Sequence, residues 1–80
     1  SDTKGTAEDD LERSQLKGIL KESLSALPER NALVLQLYYV EELNVYEIAA
    51  ILEVSTGRVS QIKKAAIEQL RDIIQARLAD

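Results

Sequence analysis

The 80-residue sequence has no histidine and no cysteine, and it also lacks methionine, tryptophan and phenylalanine. Without Cys there is neither a disulfide framework nor a thiolate nucleophile, a composition compatible with the cytoplasm. Without His there is no imidazole base, and no His/carboxylate set with metal-ligand spacing occurs. The three glycines stand far apart, at Gly5, Gly18 and Gly57, so no Gly-rich phosphate loop exists. Ser55 and Ser60 have no base to activate them, and the adjacent Glu41 and Glu42 read as solvated charges. An enzyme is not expected, nor is a cofactor or metal. The longest apolar run, ALVLQLYYV, is interrupted by Gln36 and followed by Glu41 and Glu42, so it falls short of a membrane span. No signal-peptide pattern opens the chain. The missing initiator Met points to a piece of a longer protein.

What is present is 45% apolar residues with a single proline, which suits one small helical domain. Formal net charge is −4, but it is unevenly spread. Residues 1–53 hold five Lys/Arg against eleven Asp/Glu, whereas residues 54–79 hold five against two. Positive charge is concentrated near the C-terminus, and an acidic domain with so few usable cations should bind nucleic acid weakly on its own.

Residues 1–10, SDTKGTAEDD, read as a disordered acidic linker or tail. Asp9, Asp10 and Glu12 resemble a carboxylate cluster that nothing downstream completes; they read as solvated acids near a helix start. Residues 11–80 form the domain, an all-α compact four-helix unit. Leu16, Ile19, Leu20, Leu24 and Leu27 follow helical spacing over 11–27, with Gly18 an interior cost of about 0.5–1 kcal/mol. Pro28 stops that helix and suits the first position of the next, over 28–41. This second helix is apolar well beyond one face, which fits a central core helix with part of its surface left for a partner. Tyr38, Tyr39 and Tyr46 are the only aromatics, and helix packing is the commoner use of such residues than base stacking.

The chain is organised around NVYEIAAILEVSTGRVSQIKK, residues 44–64. Asn44 is a good N-cap with Glu47 three residues on, the spacing of a capping box, and Val45, Ile48, Ala49, Ile51 and Leu52 supply an apolar stripe over 44–53. Ser55 caps the next helix, with Val54 and Val59 at the spacing of a hydrophobic staple. Two helices joined so tightly form a helix-turn-helix. On the second, long helix of 56–78, Val59, Ile62, Ala66, Leu70 and Ile73 share one side. Ile67, Ile74 and Leu78 extend it over the first helix. Gly57, Ser60, Gln61, Lys64, Glu68 and Arg71 lie opposite, with Thr56 and Arg58 on the flanks. Small residues, an amide and cations are what a major-groove helix needs. A solvated face of an ordinary amphipathic helix gives the same pattern; the preceding capped helix favours DNA reading.

With these residues in view, the sequence resembles bacterial sigma factors, specifically their fourth and C-terminal domain. LPERNALVLQLYY looks like the family's helix before the DNA-reading unit, and ELNVYEIAAILEVSTGRVSQIKKAAIEQLR looks like the helix-turn-helix itself. YYVEELN together with RVSQI resembles the flagellar/motility subclass. The resemblance spans roughly residues 16 to 74. It implies binding of the −35 promoter element by a recognition helix in the major groove, directing RNA polymerase to promoters of flagellar genes. Carried over by position, Thr56, Gly57, Ser60 and Gln61 lie nearest base edges, with Gln61 suited to adenine. Arg58 and Lys64 approach phosphate or guanine, Lys63 approaches phosphate, Ser55 sits at the helix start, and Asn44 offers backbone N–H groups to phosphate. Housekeeping members carry larger charged residues where this chain has Thr56, Gly57 and Ser60, which implies a different promoter sequence.

The resemblance also implies two protein partners, the flap-tip helix of core RNA polymerase and an anti-sigma factor. Both are expected on Leu33, Val34, Leu37 and Tyr38, and the domain is expected to be monomeric. Two alternatives remain open from the residues. One is the helix-turn-helix output domain of a response regulator, dimerising through Ile73, Ile74 and Leu78; RVSQI favours a sigma factor. The other is a protein-interaction module using the acidic first half.

Overall fold

The computed structural model describes residues 7–79, with side chains from Asp10 onward. Four α-helices follow one another: α1 (Ala7–Ser25), α2 (Glu29–Leu35), α3 (Val45–Leu52) and α4 (Thr56–Ala79). The body measures 45 × 32 × 14 Å. Its shortest dimension accommodates two layers of helix axes about 8–10 Å apart, so every core side chain lies close to a surface.

α1 begins at Ala7, inside the stretch expected to be a tail; residues 1–6 lie outside the described residues. No helix breaker separates Ala7 from Leu11, and acids are favoured in a first turn. Leu11 and Leu16 on α1 are exposed, and packing starts only toward its end. There Ser23 is fully buried, its hydroxyl donating to the Ile19 carbonyl at 2.7 Å. The helix stops at Ser25 rather than Leu27. The N–H groups of Ala26 and Leu27 turn to the carbonyls three residues back, at 3.1 and 3.2 Å, as the residue before a proline avoids helical ψ.

Pro28 does not occupy the first helical position. It is the N-cap of α2, extended at φ −55° and ψ 143°, and its carbonyl accepts from the Ala32 N–H at 3.0 Å. The α-register lasts only to Leu35, after which Gln36–Val40 is a π-helical turn. The Glu41 N–H reaches the Gln36 carbonyl, five residues back, at 3.0 Å, and the Leu43 N–H reaches that of Leu37 at 3.0 Å. Tyr38, Tyr39 and Val40 rank below Ala and Leu in helix propensity, and the widened turn is followed by Glu42 at φ 59°.

α3 is held at both ends. The Asn44 side chain accepts from the Glu47 N–H and the Glu47 carboxylate accepts from the Asn44 N–H, both at 2.9 Å. At the other end Glu53 is left-handed (φ 59°, ψ 46°), and the Val54 N–H returns to the Ala49 carbonyl at 3.0 Å. This is a Schellman closure with Glu where Gly is usual. Ser55 then caps α4, its hydroxyl accepting from the Arg58 N–H at 3.0 Å. Val54 and Val59 pack into one cluster, as a staple requires.

Two clusters hold these helices together. Val34, Ile48, Ala49, Val59 and Ile62 join α2, α3 and the first half of α4. Leu27, Leu35 and Ala66 join the segment after α1 to α2 and the middle of α4, with Leu24, Ala32, Ile67, Leu70 and Ile73 half-buried around them. Asn31 donates to the Gln69 side-chain carbonyl at 2.8 Å, tying α2 to α4. Near the end of α4, an Arg77–Glu22 ion pair at 3.1 Å ties it to α1. Leu78, expected to close over α1, is exposed.

Candidate nucleic-acid interface

The burial of α4 sorts its residues by face. Val59, Ile62 and Ala66 are buried, and Leu70 and Ile73 are half-buried. Gly57, Arg58, Ser60, Gln61 and Lys64 are exposed on the far side, with Thr56 half-buried on the flank. Because Val59 and Ile62 are clamped between α2 and α3, rotation of α4 about its axis is blocked, and the polar side must face outward. A Cβ built on Gly57 meets only the Ser55 hydroxyl oxygen, at 3.9 Å. Nothing inside the domain requires glycine there.

Three of the expected contact residues also have a partner inside the domain. The Asn44 backbone N–H is taken by the Glu47 carboxylate, which leaves its side-chain Nδ2 as the donor that could meet a phosphate. The unpaired donors of the α3 start are those of Val45 and Tyr46, which precede the first intrahelical bond. Ser55 lends its oxygen to capping and keeps only its hydroxyl hydrogen for a ligand. Lys63 is half-buried, with its ammonium 3.7 Å from the centroid of the Tyr38 ring. The sequence offers no means to foresee that pairing, since Tyr38 and Lys63 are brought together only by the packing of the π turn against α4.

Of the four residues expected to bind a partner, one is closed off and the other three differ in exposure. Val34 is 0% exposed in the core and is closed to any partner. Leu37 and Tyr38 pack against that same core. Leu33 is 39% exposed but stands outside the apolar groove. The groove, of about 490 Å³, opens on the other side of the second helix. Leu20 and Leu24 of α1, Ala32 and Leu35 of α2, Tyr39 and Val40 of the π turn, and Ile67 and Leu70 of α4 line it. Tyr39 is 57% exposed. The apolar surplus of the second helix was visible in sequence; which side carried it was not, because the π turn shifts the register within the run.

Among the described residues no group of acids could hold a metal ion, and no helix is long and apolar enough to cross a membrane.

Together, an α3–α4 pair joined by a three-residue turn, an outward polar face and a separate apolar groove define a helix-turn-helix domain. The chain belongs to the sigma-70 region 4 family, whose family model matches residues 23–72. It is 53% identical over 58 residues to the RNA polymerase sigma factor FliA of Escherichia coli, covering 72% of this chain and 24% of that protein. Its identity to FliA of Pseudomonas aeruginosa is 47% over 66 residues, covering 82% and 25%. The chain therefore spans about a quarter of the length of the curated relatives it matches. Among solved structures, the flagellar sigma/anti-sigma complex Sigma-28/FlgM contains a similar chain. The TM-score is 0.81 at 41% identity, covering 94% of this chain and 32% of that one. Family membership supersedes the response-regulator alternative.

Proposed function

We propose that this chain is the upstream-element reader of a flagellar sigma factor, a non-catalytic domain that helps direct RNA polymerase to promoters. The observation that carries the reading is the outward set Gly57, Ser60, Gln61 and Lys64 on a helix whose inner side is locked by Val59 and Ile62. Small residues admit the groove edge, Gln61 matches adenine's donor–acceptor pair, and Arg58 and Lys64 supply charge for phosphates. The net acidity of the chain limits affinity, so promoter binding depends on a partner that brings further contacts.

The groove supports the second half of the reading. Its lining is almost wholly apolar, and an amphipathic partner helix would bury Leu20, Tyr39 and Val40 there. RNA polymerase is one such partner; an anti-sigma factor is another, and the similar solved chain comes from a sigma/anti-sigma complex. The domain acts as a monomer in both cases.

Binding of the 80-residue chain to promoter and scrambled duplexes tests the DNA half. Gln61→Ala should cost about 1–3 kcal/mol at one base pair and relax preference there, whereas Lys64→Ala should weaken binding to every sequence. Equal losses for both variants on both duplexes would remove the base-reading role of Gln61.

A further inference from the structure

The geometry points to Tyr38 as a positioning residue that holds the Lys63 ammonium at the edge of the DNA-reading face. This rests on the DNA reading above and extends it to a residue on a different helix. Three observations meet here. The Lys63 ammonium stands 3.7 Å from the Tyr38 ring centroid. The Tyr38 ring is itself wedged, half-buried against the core that fixes α4 and met edge-on by Tyr39 at 4.8 Å and 80°. Lys63 lies two turns along α4 from Thr56 on the same flank of the exposed face.

The choice of partner decides what Lys63 can still do. A carboxylate would fix the side chain and cancel its charge. A ring face fixes it and leaves the full positive charge available, because the attraction comes from the quadrupole. Among the described residues no carboxylate lies within ion-pair distance of Lys63. A lysine so held is directed before DNA arrives, which lowers the ordering cost of a phosphate contact; without the ring its ammonium swings back into solvent and that contact is lost. In a chain of net charge −4, one pre-placed cation is a sizeable share of the attraction to DNA.

The test is the salt dependence of binding of the 80-residue chain to a flagellar-type promoter duplex, read by fluorescence anisotropy. Lys63→Met and Tyr38→Leu should each make the log–log salt slope shallower, by up to about 0.9 for one phosphate contact. The double variant should be no shallower than Lys63→Met alone, and Tyr38→Phe, which keeps the ring face, should restore the parental slope. Additive losses in the double variant, or a Tyr38→Phe slope as shallow as that of Tyr38→Leu, would overturn the positioning role. A Lys64→Ala chain separates the two layers. If its slope falls while that of Tyr38→Leu does not, this inference fails and the DNA reading stands. If neither falls, both fail.

Discussion

Around α3 and the first half of α4, Val34, Ile48 and Val59 are completely shielded from solvent and the segment is capped at three successive points. Around α1 and the rest of α4, the buried set shrinks to Leu27, Leu35, Ala66 and the hydroxyl of Ser23, and Leu20, Tyr39 and Val40 remain in water. The first region closes on itself and shows a polar exterior. The second is held by an exposed ion pair and a side-chain amide bond, each weak at a surface, and it leaves an apolar groove open. The contrast separates two uses of apolar side chains. On the helix-turn-helix side they orient a polar face; on the groove side they are kept available, and their full stabilisation is realised only when something covers them.

Truncation in each region should expose that contrast most sharply. Ile48→Ala removes a fully buried side chain and should cost about 2–5 kcal/mol in urea unfolding. Leu20→Ala, at a side chain already 43% exposed, should cost less than about 1 kcal/mol. Equal losses would erase the distinction between a closed and an open half. Asn44→Ala deletes one bond of the capping box and leaves the Glu47 N–H without its acceptor; a loss of about 1–2 kcal/mol is expected in the same assay. No change there would mean that packing alone sets the start of α3.

Two substitutions should raise stability. Glu53→Gly relieves a left-handed non-glycine residue at the turn and should stabilise by about 1 kcal/mol, read as a higher melting temperature. A lower one would show that the Glu53 side chain contributes more than its backbone geometry costs. The smallest effect is expected for Gly18→Ala. Nothing lies within 4 Å of a Cβ placed there, so the gain should be the helix-propensity difference of about 0.5–1 kcal/mol. Because packing on α1 begins only near its end, amide exchange before Gly18 should remain faster than exchange in α3 in both forms.

The caps were the most legible part of the fold. Asn44, Glu47 and Ser55 act on groups within three residues of themselves, so spacing alone located both sides of the turn. The faces of α4 were legible too, since an uninterrupted helix propagates its angular period from Val59 to Ile73. The second helix was less legible. Its apolar run LVLQLYYV gives no angular contrast to anchor a face, and the π turn at Gln36–Val40 then moved Tyr39 and Val40 to the groove and Leu37 and Tyr38 to the core. The spacing of Asn44 and Glu47 shows the cap but not that its closing bond occupies the Asn44 backbone N–H.

What the chain's order of residues determined by itself was the set of helices, their caps and the polar side of α4. Each of these depends on interactions between residues one to four positions apart, whose geometry the backbone fixes in advance. Tertiary structure decided the rest. Val34 became core, Leu20 and Tyr39 became walls of one groove, and Lys63 came to rest on Tyr38, because such contacts depend on where two helices cross, and crossing is set by the packing of all their side chains at once.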